Sequence, residues 1–163
     1  MSTIVQVNRR TGLDMLSDDM STQEEANLIL KLYELRREET MRKARDWYFR
    51  EFNPETAEDI TRAFMGEHSG HFRMVTSYWD MAAALVNHGA ISIDLFGATN
   101  GEYFGVFAKM EKLLEPIRAQ YGPHFMVQLE KLIDATPGGR ERSAAVREML
   151  KGMVERMKTQ AKD

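Results

Sequence analysis

The run HSGHFRMVTSYWDMAAALVN, residues 68–87, constrains the fold more than any other part of the chain. Phe72, Val75, Trp79, Ala82 and Val86 recur at helical spacing, and Met74, Tyr78, Met81 and Leu85 make a second stripe beside them. At about 100° per residue the two stripes together cover roughly half of a helix's circumference, with Arg73, Thr76, Ser77, Asp80 and Asn87 on the other half. A helix that is apolar over so wide an arc must touch several neighbours at once, so this segment is expected at the centre of a core, with Trp79 buried. Its longest unbroken apolar run, Met81 to Val86, is far shorter than the ~20 residues a membrane-spanning helix needs.

The surrounding sequence supplies helices rather than strands. Ser21 followed by Glu24 has the form of a capping box, and Ala26, Ile29, Leu30 and Tyr33 follow at helical spacing, which predicts a helix from about residue 22. The polar run Arg36-Arg37-Glu38-Glu39-Thr40 interrupts the apolar stripe and predicts a break or exposed bend near residues 37–39. Met41, Ala44, Trp47, Tyr48 and Phe52 then resume the period. Asn53-Pro54 reads as the cap and first residue of a short third helix carrying Ile60, Ala63 and Phe64. Asn87-His88-Gly89 is a stop signal with Gly89 suited to a left-handed position. Ser92 is expected to cap a single-turn helix, and Thr99 with Glu102 to open the next, which Pro116 should kink or shorten. Thr136-Pro137-Gly138-Gly139 is the last clear loop. A terminal helix over about residues 139–160 is expected to dock through Val146, Leu150, Met153 and Met157, leaving Arg147, Lys151, Glu155 and Lys158 solvated.

Residues 1–20 show no sustained period and read as a mobile N-terminal arm ahead of one helical domain over residues 21–163. The fold class is therefore all-α, a single-domain bundle of about seven or eight helices.

Composition narrows the chemistry. Among 163 residues there is no cysteine, which excludes disulfides, thiolate nucleophiles, Fe–S clusters and thiolate zinc sites. A net charge of -3 argues against a dedicated nucleic-acid binder. The opening residues have no apolar region of signal-peptide length, so a cytoplasmic location is expected.

Two stretches, LYELRREETMRKARDWYFREF and YWDMAAALVNHGAISIDLF with YFGVFAKMEKLLEPIR beyond it, resemble an uncharacterised family of bacterial all-helical proteins known as a domain of unknown function. The resemblance covers about residues 30–133. It implies a turn between the Leu-Tyr-Glu-Leu-Arg segment and the helix of Arg42, Ala44 and Arg45, in line with a break near Arg37. It implies no activity and no catalytic residue.

Three groups of residues invite a functional reading. Glu67, His68 and His71 form the most metal-like cluster, since histidines three apart share a helix face; further ligands would have to come from elsewhere, such as Glu51 or Glu55. The spacing matches neither the zinc-protease nor the ferritin-like pattern, and a polar helix start with solvated histidines is the preferred account. The basic run Arg36, Arg37, Arg42, Lys43, Arg45 and Arg50, interleaved with Trp47 and Tyr48, has the composition of a phosphate-tracking surface. Glu38, Glu39, Asp46 and Glu51 lie among those charges, and a solvated helix with internal ion pairs is preferred. Asp80 and His88 lie about 12 Å apart along a helix and cannot pair within it.

By elimination the leading expectation is a non-enzymatic protein-interaction or scaffold protein, with an unidentified protein partner or a homodimer, and with no cofactor. A metal-dependent enzyme or metal sensor using Glu67, His68 and His71 is the alternative. Weak nucleic-acid binding through the Arg36–Arg50 surface is the third.

Overall fold

The computed structural model describes the backbone of residues 12–160 and the side chains of residues 22–160; most of the expected N-terminal arm lies outside the described residues. The helices in chain order are α1 (Gly12–Arg37), α2 (Glu39–Arg50), α3 (Ala57–Met65), α4 (Ser69–Asn87), α5 (Ile93–Thr99), α6 (Glu102–Met110), α7 (Leu114–Tyr121), α8 (Val127–Ala135) and α9 (Gly139–Gln160). A single 3-10 turn, Glu111–Leu113, joins α6 to α7, so these two form one bent rod and the bundle has eight helical segments among the described residues. No strand occurs among them.

Helix α4 occupies the centre, in contact with α2, α3, α5, α6 and α8. Trp79 is 1% exposed, and Phe72, Val75, Ala82 and Val86 are buried with it. The buried arc is rotated from the one the two stripes predict. Thr76 is in the core, where its hydroxyl is satisfied by donating to the Phe72 carbonyl at 2.9 Å, while Met81 faces outward. A threonine that returns its hydrogen bond to its own helix buries at little cost, and Ala82 and Ala83 let neighbours approach closely on that side.

The expected break lies where the polar run falls. α1 ends at Arg37, and Glu38 adopts φ -56°, ψ 143° and accepts from the N–H groups of Thr40 at 2.9 Å and Met41 at 3.2 Å. A glutamate thus acts as the N-cap of α2. The start of α1 differs from expectation, because the helix begins at Gly12 and Ser21 lies inside it rather than capping it. No proline falls between Gly12 and Arg37, so the backbone is free to stay helical upstream of the box.

Several helix ends are satisfied by side chains from distant elements. The Asp80 carboxylate of α4 accepts from Leu129 N–H at 2.8 Å, in the first turn of α8. Met126, the residue at the N-cap of α8, has no polar side chain and sits at φ 52°, so it cannot serve itself. Burial pushes the Asp80 carboxyl upward, against the Leu129 and Gln128 amides and Arg118, which favour its charge. Glu25 of α1 accepts from both the amide and the hydroxyl of Ser92, at 3.1 and 2.8 Å, where Ser92 was expected to cap α5 with its own side chain. The Thr99–Glu102 box does not form either: Gly101 occupies the N-cap of α6, and Glu102 pairs with Arg45 of α2. Nor do Asn53 and Pro54 open α3. Its cap is Thr56, locked in a reciprocal box with Asp59, whose Oδ2 also accepts from the Glu55 amide and so collects three donors.

Gly89 takes φ 77° at the end of α4, as its stop signal requires. Pro116 falls in the first turn of α7, and the 3-10 turn just before it absorbs the missing helical bond.

The docking of α9 departs from the expected seam. Gly139 and Ser143 are fully packed, Val146 and Leu150 are half-buried, and Arg147 is held rather than solvated, donating to the Ala108 carbonyl at 3.1 Å and pairing with Glu111. A Cβ on Gly139 would lie 2.0 Å from the Ile133 carbonyl oxygen, so only glycine permits this entry. Met153 and Met157 are exposed. An ion-pair network fixes the buried half: Arg140 reaches Asp134 at 2.6 Å, Glu111 at 3.0 Å and Glu130 at 3.1 Å, while Arg118 meets Glu130 at 2.5 Å. An arginine serving three carboxylates must sit at the helix junction, and that requirement rotates α9 about its axis.

Two outcomes follow for stability. Removing the Asp80 carboxylate with Asp80→Ala leaves the Leu129 amide without an acceptor and is expected to cost about 1–3 kcal/mol in urea unfolding, with Asp80→Asn costing less. For Glu130, burial alone would raise the carboxyl, but Arg118 and Arg140 outweigh it and hold it below the ordinary glutamate value of 4.5. Its contribution is therefore complete above that value and is lost as pH falls through the lower, folded one. Glu130→Gln should destabilise by about 2–3 kcal/mol at neutral pH, and the gap to the wild type should narrow as unfolding is repeated at progressively lower pH.

Candidate functional site

The sequence-predicted residues that come together do so at the junction of α2, α3 and α4. Trp47, from the buried face of α2, is 8% exposed. Its indole stacks on Phe52 at 5.1 Å between ring centroids and on His68 at 4.9 Å, and the His68 and His71 rings lie stacked 5.6 Å apart. The histidines expected to be solvated at a polar helix start are instead packed against an aromatic ring. His68 is the residue before α4 and caps it with no side-chain bond, so its imidazole is free to turn toward Trp47. His71 also reaches Trp47, at 6.1 Å, and its Nδ1 is buried without a partner.

This stack forms a wall of an open groove of about 320 Å³, lined also by Glu51, Asn53, Pro54, Asp59, Arg62, Ala63, Gly66 and Glu67. Of the metal candidates, Glu67 and His68 border the groove together with Glu51, one of the two examples of a further ligand from elsewhere; Glu55 does not. Among the described residues no three histidine or acidic side chains gather in an arrangement that could hold a metal ion. What the groove offers is a surface of mixed polarity, in which ionised groups and the partly covered aromatic stack occur together. Phe52 escaped notice as a functional residue because its spacing marks it only as core; the pattern Thr56-x-x-Asp59 could have located the groove's far edge.

The fold separates the basic run from the aromatics interleaved with it. Trp47 and Tyr48 face the core, and Tyr48 donates its hydroxyl to the Val106 carbonyl at 3.0 Å. Lys43 pairs with Glu39, Arg50 with Asp46, and Arg45 with Glu102 across to α6. Arg36 and Arg37 both lie over the Tyr33 ring, at 5.4 Å. Trp47 and Tyr48, the aromatics interleaved with the run, are therefore withdrawn from its surface, while Arg42, Lys43, Arg45 and Arg50 line a second open groove with Phe49, Glu39 and Asp46.

Beneath the groove, Lys109 of α6 closes the end of α2. Its ammonium donates to the carbonyls of Tyr48 at 2.8 Å, Phe49 at 3.3 Å and Phe52 at 2.5 Å, and to Asn53 Oδ1 at 3.1 Å. A cation at a helix C-terminus satisfies orphan carbonyls and complements the dipole. Burial lowers its pKa to about 8, which still leaves it charged at neutral pH. It is what presents Phe52 and Asn53 to the groove, and no local spacing in the sequence announces it.

No helix among the described residues is long and apolar enough to cross a membrane. No curated protein and no solved structure matches the chain. A family model does match, over residues 21–136, which takes in α2 to α8, the groove and most of the ion-pair network. The chain belongs to that family, described as a domain of unknown function, DUF4760.

Proposed function

We propose that the protein acts by protein–protein contact, as a non-enzymatic interaction or scaffold protein of the cytoplasm. The observation that carries this reading is the outer half of α9. Met149, Met153 and Met157, four residues apart along one side of the helix, are 54%, 45% and 42% exposed, while the first half of the same helix is held by Arg140 and Arg147. A rigidly anchored helix that carries a row of flexible thioethers into solvent is suited to an adaptable apolar contact with another helix. A second copy of the chain would bring the same row and close the contact by two-fold symmetry. Nucleic acid is the less suitable partner, because the cations of α2 are largely spent on neighbouring carboxylates.

The double substitution Met153→Lys, Met157→Lys tests the reading. It should leave the unfolding free energy within about 0.5 kcal/mol of the wild type, as expected of surface positions, while abolishing either self-association seen by light scattering across a dilution series or the specific capture of a partner by the wild-type protein. A loss of stability above about 2 kcal/mol would assign the methionines to the bundle's own packing and overturn it.

A further inference from the structure

We propose that the groove between α2, α3 and α4 receives a basic side chain, arginine or lysine, from a partner protein. The surface is separate from the methionine row of α9, and the inference stands or falls independently of it.

The argument rests on which charges at the groove are spent. Asp59 is committed to the capping box of α3. Arg62 is paired with Glu58 and Asp59, at 3.6 and 3.3 Å. Lys109 lies behind the wall, bound to the carbonyls that end α2. Glu51, the C-cap residue of α2, and Glu67, on the approach to α4, border the same groove, are exposed, and form no ion pair and no side-chain hydrogen bond among the described residues. The lining thus holds three carboxylates to one guanidinium, and both unpaired charges are negative.

The same lining also carries the largely buried rings of Trp47 and Phe52, with Pro54, Ala63 and the imidazole of His68 beside them and Asn53 as a further polar group. The stack of Phe52, Trp47 and His68 makes that surface rigid before anything binds, which reduces the ordering cost of binding. An aliphatic stem that ends in a cation is the side-chain chemistry that matches a groove of mixed polarity with free carboxylates in its lining, because the stem can cover the apolar part while the head meets the carboxylates. An anion would meet two uncompensated carboxylates. A neutral apolar side chain would leave them unused.

The test is titration of the isotopically labelled full-length protein with the capped peptide Gly-Arg-Gly, its citrulline counterpart, Gly-Glu-Gly and free arginine, followed through the two tryptophan indole N–H resonances. The expected result is a saturable movement of the Trp47 signal with Gly-Arg-Gly, no movement of the Trp79 signal in the core, and at least ten-fold weaker binding of the citrulline peptide. Glu51→Gln with Glu67→Gln, both at exposed positions that leave the fold intact, should weaken the arginine peptide by at least ten-fold. The proposal is overturned if the Trp47 signal does not respond, if citrulline binds as well as arginine, if Gly-Glu-Gly binds in its place, or if the double variant binds unchanged. Free arginine binding as tightly as the peptide would also overturn it, by making the site one for a small molecule rather than for a protein side chain.

Discussion

The apolar arc of α4 has to be covered on more than one side, and the placement of the other helices follows from that requirement. Burying Phe72, Val75, Trp79, Ala82 and Val86 together takes α2, α3, α6 and α8 around one rod, with the small residues Ala82 and Ala83 setting how closely they come. Each large side chain buried in this way contributes on the order of 1.5–3 kcal/mol, so the arc outweighs any single polar contact in the molecule. Trp79 touches Tyr78, Phe96 and Tyr103, which draws α5 and α6 onto the same ring system. Short helices that would be marginal alone are stable here because each closes one face of α4.

Once packing has set the helices, polar groups are assigned across long separations. Asp80 serves α8, Glu25 serves α5, Lys109 serves the end of α2, and Glu102 leaves its own helix start to meet Arg45. In the first three cases a side chain near a foreign helix terminus finds unsatisfied backbone groups already in place, and in the fourth it finds a guanidinium. Such bonds add modestly to net stability, but leaving their partners buried and unbonded would be costly, so they select one rotation of each helix over others. The network about Arg140 does this for α9. It turns Arg147 inward and the methionines outward, and in doing so creates the exposed row on which the proposed function rests.

The groove arises from the same hierarchy. Core packing places Trp47; the end of α2, held by Lys109, places Phe52; the uncapped start of α4 leaves His68 free to stack on the other side. Of the carboxylates in its lining, Asp59 is claimed by the start of α3, and Glu51 and Glu67 are those that no helix terminus has claimed. Their availability is a residue of the capping pattern rather than of a motif.

The sequence by itself determined what depends on neighbours three or four positions away: the helical class, the break that Glu38 caps, the stop at Gly89, the extent of α9 and the burial of Trp79. It also brought the chain within reach of its family, through the segments about Tyr33 and Trp79 that lie inside the matched residues 21–136. Periodicity and local caps are properties of a single helix, so they can be read before any packing is known. Only the tertiary structure decided which carboxylate met which helix end, whether the histidines faced water or Trp47, and which side of α9 stayed exposed. Those outcomes depend on the rotation of each helix against the others, which is set by the fit of side chains drawn from the whole chain; Asp80 and Leu129, 49 positions apart, share no local signal.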